Sequence, residues 1–123
     1  MCTDFDTLFV YRQYVDYPVQ YYFDRKTYAV CEMTSVLDEE IAYYRRYVPL
    51  FQIDEESIIC DFIMQLNDCR MLRKYIERTV CTEEFLQQNR LWDSWWLYYR
   101  EAVFRVAEQW CMENSINLKK DVL

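Results

Sequence analysis

The sequence predicts an α+β fold, predominantly α-helical, with about five helices and one two-stranded β-hairpin packed on a long C-terminal helix. Three observations carry this. The stretch RLWDSWWLYYREAVFRVAEQWCMENSI, Arg90–Ile116, is apolar at helical spacing over many turns. The stretch VQYYFDRKTYAVCEM is rich in Tyr, Val and Phe around a polar DRKT, which is a hairpin pattern. Between and around these, short apolar runs alternate with helix-capping residues. A chain of 123 residues without a linker, low-complexity run or internal repeat fits a single domain, 1–123.

Each element has its own signal. Thr3 can cap a first helix whose Phe5, Leu8, Phe9 and Val15 share a face before Tyr17-Pro18 stops it. The hairpin follows, and since a lone hairpin is marginal in water, one face must pack on helices. Ser35 and Asp38 form a capping box for a second helix that ends by Pro49, with Arg45 and Arg46 at its negative end. After an extended VPLF, Asp54 starts a helix that buries Ile58, Ile59, Phe62, Ile63 and Leu66. Asn67 or Asp68 breaks it and recaps CRMLRKYIERTV, with Leu72, Tyr75, Ile76 and Val80 inward, and Thr82 caps the next short segment. The final helix begins between Asn89 and Asp93 and stops at Asn114 or Ser115. Its Trp92, Trp96, Tyr99, Val103, Val106 and Trp110 step by alternate fours and threes, the spacing of one buried seam.

Composition narrows function. A net charge of −7 opposes binding to nucleic acid phosphates or an anionic membrane and favours basic or neutral partners. No stretch reaches the roughly 18 apolar residues a membrane span needs. The start MCTDFDTLF is acidic where a secretory signal is basic, so a cytoplasmic location is expected. Six cysteines at irregular intervals in apolar runs read as buried thiols in a reducing compartment rather than a disulfide framework. With no CxxC pair and no histidine, no metal is expected, and the absence of glycine removes phosphate-cradling and dinucleotide loops, so no cofactor is expected. The missing histidine also removes the commonest general base. The carboxylate groups Asp38-Glu39-Glu40, Asp54-Glu55-Glu56 and Glu83-Glu84 each fall in a helix first turn, where they complement free N–H groups and the helix dipole.

Two sets of residues remain as candidate sites. Trp95, Tyr98, Ala102 and Cys111 broaden the apolar band of the last helix beyond what one neighbour covers, so the same chain or another molecule must cover them. Adjacent tyrosines such as Tyr43-Tyr44 and Tyr98-Tyr99 cannot both point inward. Trp95, Tyr98, Tyr43 and Tyr44 are therefore the candidate partner-binding residues. Arg70, Arg73, Lys74 and Arg78 line one side of a helix as a candidate anion-binding row, or as its solvated face.

Three pieces, in order, resemble a bacterial group called uncharacterised protein family 0158. YYFDRKTYAV is similar to its strand, polar turn and return strand, and VPLFQIDEESIICDFIMQL to its proline, loop and helix. WWLYYREAVFRVAEQWCMENSI is similar to its closing helix, through Trp96, Tyr99, Arg100, Ala107, Trp110, Cys111, Asn114 and Ile116. Tyr28 and Ser115 stand where the family carries the glycines of the hairpin turn and the helix stop. The short RTVCTEEFLQQN, with Phe85, replaces a longer Gly- and Arg-containing segment. The resemblance implies a small cytosolic α-rich domain with a hairpin and supplies no catalytic residue.

The expected function is that of a non-enzymatic, acidic interaction module that inhibits or regulates another protein, of the immunity or anti-defence type. A nucleic-acid-associated module using the basic row is the alternative. Another protein is the expected partner, a homodimer on the aromatic band is compatible with it, and membrane and nucleic acid are disfavoured.

Overall fold

The computed structural model describes residues 1–32, 34 and 45–119. Among them are five helices and five short strands, an α+β architecture. The helix expected from Ser35 and Asp38 lies outside the described residues, as do Tyr43 and Tyr44. Two compact units emerge, one drawing on Met1–Asp54 and Val103–Leu123, the other on Glu55–Ala102.

In the first unit, α1 spans Phe5–Val10 and buries Phe5, Leu8 and Phe9. Its cap is Asp4, not Thr3: an Asp4 carboxylate oxygen accepts the Thr7 N–H at 2.8 Å, while Thr3 is taken up by backbone pairing with Leu118. The Thr3 N–H donates to Asn117 O at 2.9 Å and its carbonyl accepts from Lys119 N at 2.6 Å. Val15 does not share the α1 face as expected. The helix closes at Val10, and the chain leaves as β1, Gln13–Tyr14, which leaves Val15 exposed.

The hairpin forms as expected from β2, Tyr21–Asp24, and β3, Ala29–Glu32, in antiparallel register from Tyr21 opposite Glu32 to Asp24 opposite Ala29. It is not the whole sheet. A third strand, β4 (Tyr47–Pro49), pairs antiparallel with β2 on its other side, giving the order β3-β2-β4. A second sheet joins β1 in parallel to β5, Gln52–Ile53. Gln13 ties this region together: its buried amide donates to Leu50 O at 3.1 Å and accepts from the N–H groups of Gln20 and Tyr21 at 2.7 and 2.9 Å. A buried amide so satisfied stabilises where an unpaired one would cost.

The second unit is helical. α2, Glu55–Gln65, buries Ile59, Phe62 and Ile63. α3, Cys69–Ile76, is capped by Asp68, whose carboxylate accepts from Arg70 N and Met71 N at 3.0 and 3.2 Å. Of its expected inward residues Tyr75 is buried, but Ile76 is 70% exposed, because the next position on the wheel turns away from the face Tyr75 defines. α4, Thr82–Gln88, starts with Cys81 at the cap and no side-chain cap bond, so Thr82 is the first helical residue rather than the cap. α5 runs from Trp92 to Glu113, matching the expected bounds. Residues 92–102 belong to the second unit and residues 103–113 to the first.

The glycine-free chain makes its stops with other residues. Tyr28, Arg45, Asn67, Arg90 and Ser115 all have positive φ, between 49° and 57°. Arg90 and Ser115 end α4 and α5 in the same way: Leu91 N and Ile116 N donate back to Leu86 O and Cys111 O, and Arg90 N and Ser115 N to Gln87 O and Met112 O. This is the paired bond set of a helix end that ordinarily recruits glycine, and the L-residue there costs roughly 1 kcal/mol. Exposed Ser115 makes a clean test. Ser115→Gly will raise stability by about 1 kcal/mol, read as a shift of roughly 4 °C in the thermal midpoint.

All six cysteines are free thiols. The expectation that they are buried holds fully only for Cys111, whose thiol is pushed up to about 11 by burial, with Glu108 adding to it. Cys31 and Cys60 are half-buried, and Cys2, Cys69 and Cys81 are exposed at element ends where no apolar layer covers them.

Candidate functional site

The first half of α5 places the aromatic residues by simple angular arithmetic. In a helix, neighbours in sequence are about 100° apart, so Trp95 and Trp96 cannot share a face. Trp95 is the inward one. At 3% exposure it stacks on Tyr99, with ring centroids 5.2 Å apart, and meets Phe62 of α2 edge-on at 5.5 Å. Tyr98 is half-buried, its ring 5.3 Å from Phe62. Trp95, expected as a partner-binding residue, is therefore a packing residue, covered by Phe62 of α2, while Tyr98 packs on the same ring and keeps part of its surface exposed.

The buried row on α5 is correspondingly out of phase with the expected seam. Trp95, Tyr99, Val103, Ala107, Trp110 and Cys111 are buried, while Trp96 is exposed and Trp92 and Val106 are half-buried. Trp95, Tyr99, Val103, Ala107 and Cys111 follow steps of four, one of the side-chain ridges of a straight helix, with Trp110 beside them. The alternating three-and-four seam suits a supercoiled partner helix and drifts by about 20° per heptad on a straight one.

The residues displaced from the core make the surface. Trp92 and Trp96, four apart, stack with centroids 6.3 Å apart and planes within 22°. Trp96 is 40% exposed and Leu97 is 72% exposed. Together with Asp93 they line an open groove of about 480 Å³. Upstream, the Arg90 turn starts this helix abruptly: Leu91 N is held by Leu86 O at 2.8 Å, and Leu91 O accepts from Trp95 N at 2.8 Å. The groove thus sits on a defined helix start rather than on a loose loop.

The basic row is only partly assembled. Arg70, Arg73 and Lys74 are exposed on α3. Arg78 lies past the end of that helix, with its guanidinium 4.0 Å over the Tyr75 ring and donating to Tyr75 O at 2.8 Å. Tyr75 itself donates to a Glu56 carboxylate oxygen at 3.3 Å and lies 4.0 Å from the Cys60 sulfur. Burial, followed by the neighbouring Cys60, pushes the Tyr75 phenol up to about 12. It stays protonated at neutral pH and serves as a buried donor, not as a base.

Among the described residues, no group of three or more Cys, Asp or Glu side chains is placed to hold a metal ion. No described helix is long and apolar enough to cross a membrane. No family model, curated protein or solved structure matches the chain.

The three-and-four spacing assigns Trp92 and Trp96 to the core, so this groove is not visible in it. The available signal was the Trp95-Trp96 adjacency together with Leu97, since three consecutive large apolar residues on a helix cannot all be buried by one neighbour.

Proposed function

We propose that the protein is a small, acidic, non-enzymatic interaction module that binds another protein in the cytosol and thereby inhibits or regulates it, as an immunity or anti-defence protein does. The observation that carries this is the exposed Trp92–Trp96–Leu97 face beside Asp93. Tryptophan is the residue most enriched at binding hot spots, and a rigid stacked pair loses little conformational freedom on binding. The kinship with uncharacterised protein family 0158 belongs to the same proposal. It is supported by Tyr28 and Ser115, the two positions where that family carries glycine, both of which have positive φ.

The test is a capture experiment from native lysate, treated with nuclease, using the wild type beside Trp96→Ala and Leu97→Ser. A stoichiometric protein held by the wild type and weakened by about thirty-fold or more in Trp96→Ala is the expected result. No captured protein, or capture indifferent to both substitutions, overturns the reading.

The exposure of Arg70, Arg73 and Lys74 on one helix favours a second reading, a nucleic-acid-associated module. It requires salt-dependent RNA or DNA binding that disappears when all three become alanine, and it falls if binding survives.

A further inference from the structure

We infer that the Trp92–Trp96 groove receives a cationic side chain, arginine or lysine, from a basic segment of the partner protein. This rests on the interaction-module reading and specifies what that module recognises.

The first argument is the chemistry of the lining. Among the described residues, the groove is lined by Trp92, Asp93, Trp96 and Leu97, and the charged one among these is an acid, Asp93. An aromatic face carries negative electrostatic potential above the ring, and tryptophan carries the most. Two near-parallel indoles with a carboxylate at the same opening thus offer a cation both a charge partner and a flat surface for its apolar stem. Leu97, exposed at the same groove, lengthens that surface for the methylenes of an arginine or lysine.

The second argument is the field around it. The chain carries 21 acidic against 14 basic residues, so a basic segment is drawn in from a distance and an acidic one is repelled. Rings of this protein already meet guanidinium groups in this manner: Arg12 lies 4.1 Å over Phe9 and Arg46 lies 4.9 Å over Tyr47. A purely apolar occupant would strip water from the exposed Asp93 carboxylate and give it no partner of its own, a cost that a cation offsets.

The experiment uses the full chain and a defined probe, acetylated hexa-arginine amide, titrated calorimetrically at physiological ionic strength, with hexacitrulline as its uncharged counterpart. Two variants test the groove, Trp96→Ala and Asp93→Asn, and Asp16→Asn removes one exposed carboxylate elsewhere as the charge-matched control. Trp96→Phe keeps an aromatic ring if the alanine variant fails to fold.

The expected result is saturable binding of hexa-arginine but not of hexacitrulline. Trp96→Ala and Asp93→Asn each weaken it by about three- to thirty-fold, Trp96→Phe weakens it less than Trp96→Ala, and Asp16→Asn leaves it within about two-fold of the wild type. Equal loss in Asp93→Asn and Asp16→Asn overturns the inference, since the attraction is then diffuse. Equal binding of hexacitrulline also overturns it. If hexa-arginine is not bound while the lysate partner is still captured through Trp96, the cation is wrong and the interaction module stands. If neither is bound, both readings fall together.

Discussion

Replacing Trp110 by alanine will remove about 4 kcal/mol of stability, measured as a lowered urea midpoint in far-ultraviolet circular dichroism. Trp110 is the point at which the sheet and the end of α5 meet within the first unit. Its ring lies edge-on to Phe23 of β2 and to Phe51, each at 5.8 Å, and its indole N–H donates to Pro49 O at 3.0 Å. Alanine leaves a void between Phe23 and Phe51 in a closely packed interior, which places the loss near the upper part of the range for buried aromatics. Trp110→Phe separates the contributions. It keeps most of the packing, forfeits the hydrogen bond to a carbonyl on an exposed residue, and should cost about 1 kcal/mol. Against a total of roughly 5–15 kcal/mol for a domain of this size, the alanine variant loses about a quarter or more of its stability. A loss below about 1 kcal/mol in Trp110→Ala would show that these ring contacts are not what holds the hairpin to the helix.

Asp24→Asn is expected to cost about 2 kcal/mol at neutral pH, and the difference from wild type will vanish in acid. Asp24 is the last residue of β2, and its carboxylate has two tasks. It accepts both the Nε–H and an Nη2–H of Arg46 at 3.0 Å, and it accepts the N–H groups of Lys26 and Thr27 that open the hairpin turn. The Arg46 hydrogen bond, opposed by burial and reinforced by the turn amides, holds its carboxyl down to about 2. Because the folded value lies below the unfolded one, near 3.9, the contribution is complete above the unfolded value and is lost as pH falls through the folded one. The window is therefore about pH 4 down to about pH 2. Arg46 is partly solvated, which is why the expected cost is set below that of a fully buried pair. A wild-type minus variant difference that stays constant from neutral pH to pH 2, read by urea unfolding at each pH, would show that the bridge adds nothing.

The sequence was most informative where backbone chemistry acts locally. The bounds of α2 and α5, the hairpin strands and the capping role of Asp68 follow from periodicity, β-propensity and side-chain acceptors, all of which operate within a few residues. The parallel β1–β5 pair was illegible because two-residue strands have no alternation to detect and join residues far apart in the chain. What fixes that region is the buried Gln13 amide, a polar residue that any hydropathy pattern assigns to the surface. The end of α1 is hidden in the sequence for the same reason, since Gln13, three residues past Val10, belongs to this sheet. On α5 the type and length of the element were readable and its rotation was not. Which of Trp95 and Trp96 turns inward depends on where Phe62 of α2 stands, and a rotation of about 100° exchanges core for groove. Thus the candidate site, Trp92, Asp93, Trp96 and Leu97, was visible as composition but not as a place.

The discontinuity of the first unit has a consequence during translation. Thr3, Phe5 and Phe23 are made early, yet their partners Leu118, Phe104 and Trp110 are made late. Residues 55–102, which form a unit from one uninterrupted stretch, are synthesised in between. At about 5–20 residues per second, these early residues wait roughly 4 to 23 seconds on the ribosome before their partners are made. During that interval their rings are without their native cover and the helical unit can already fold, so the nascent chain offers chaperones a defined N-terminal binding window that closes only when the end of α5 arrives.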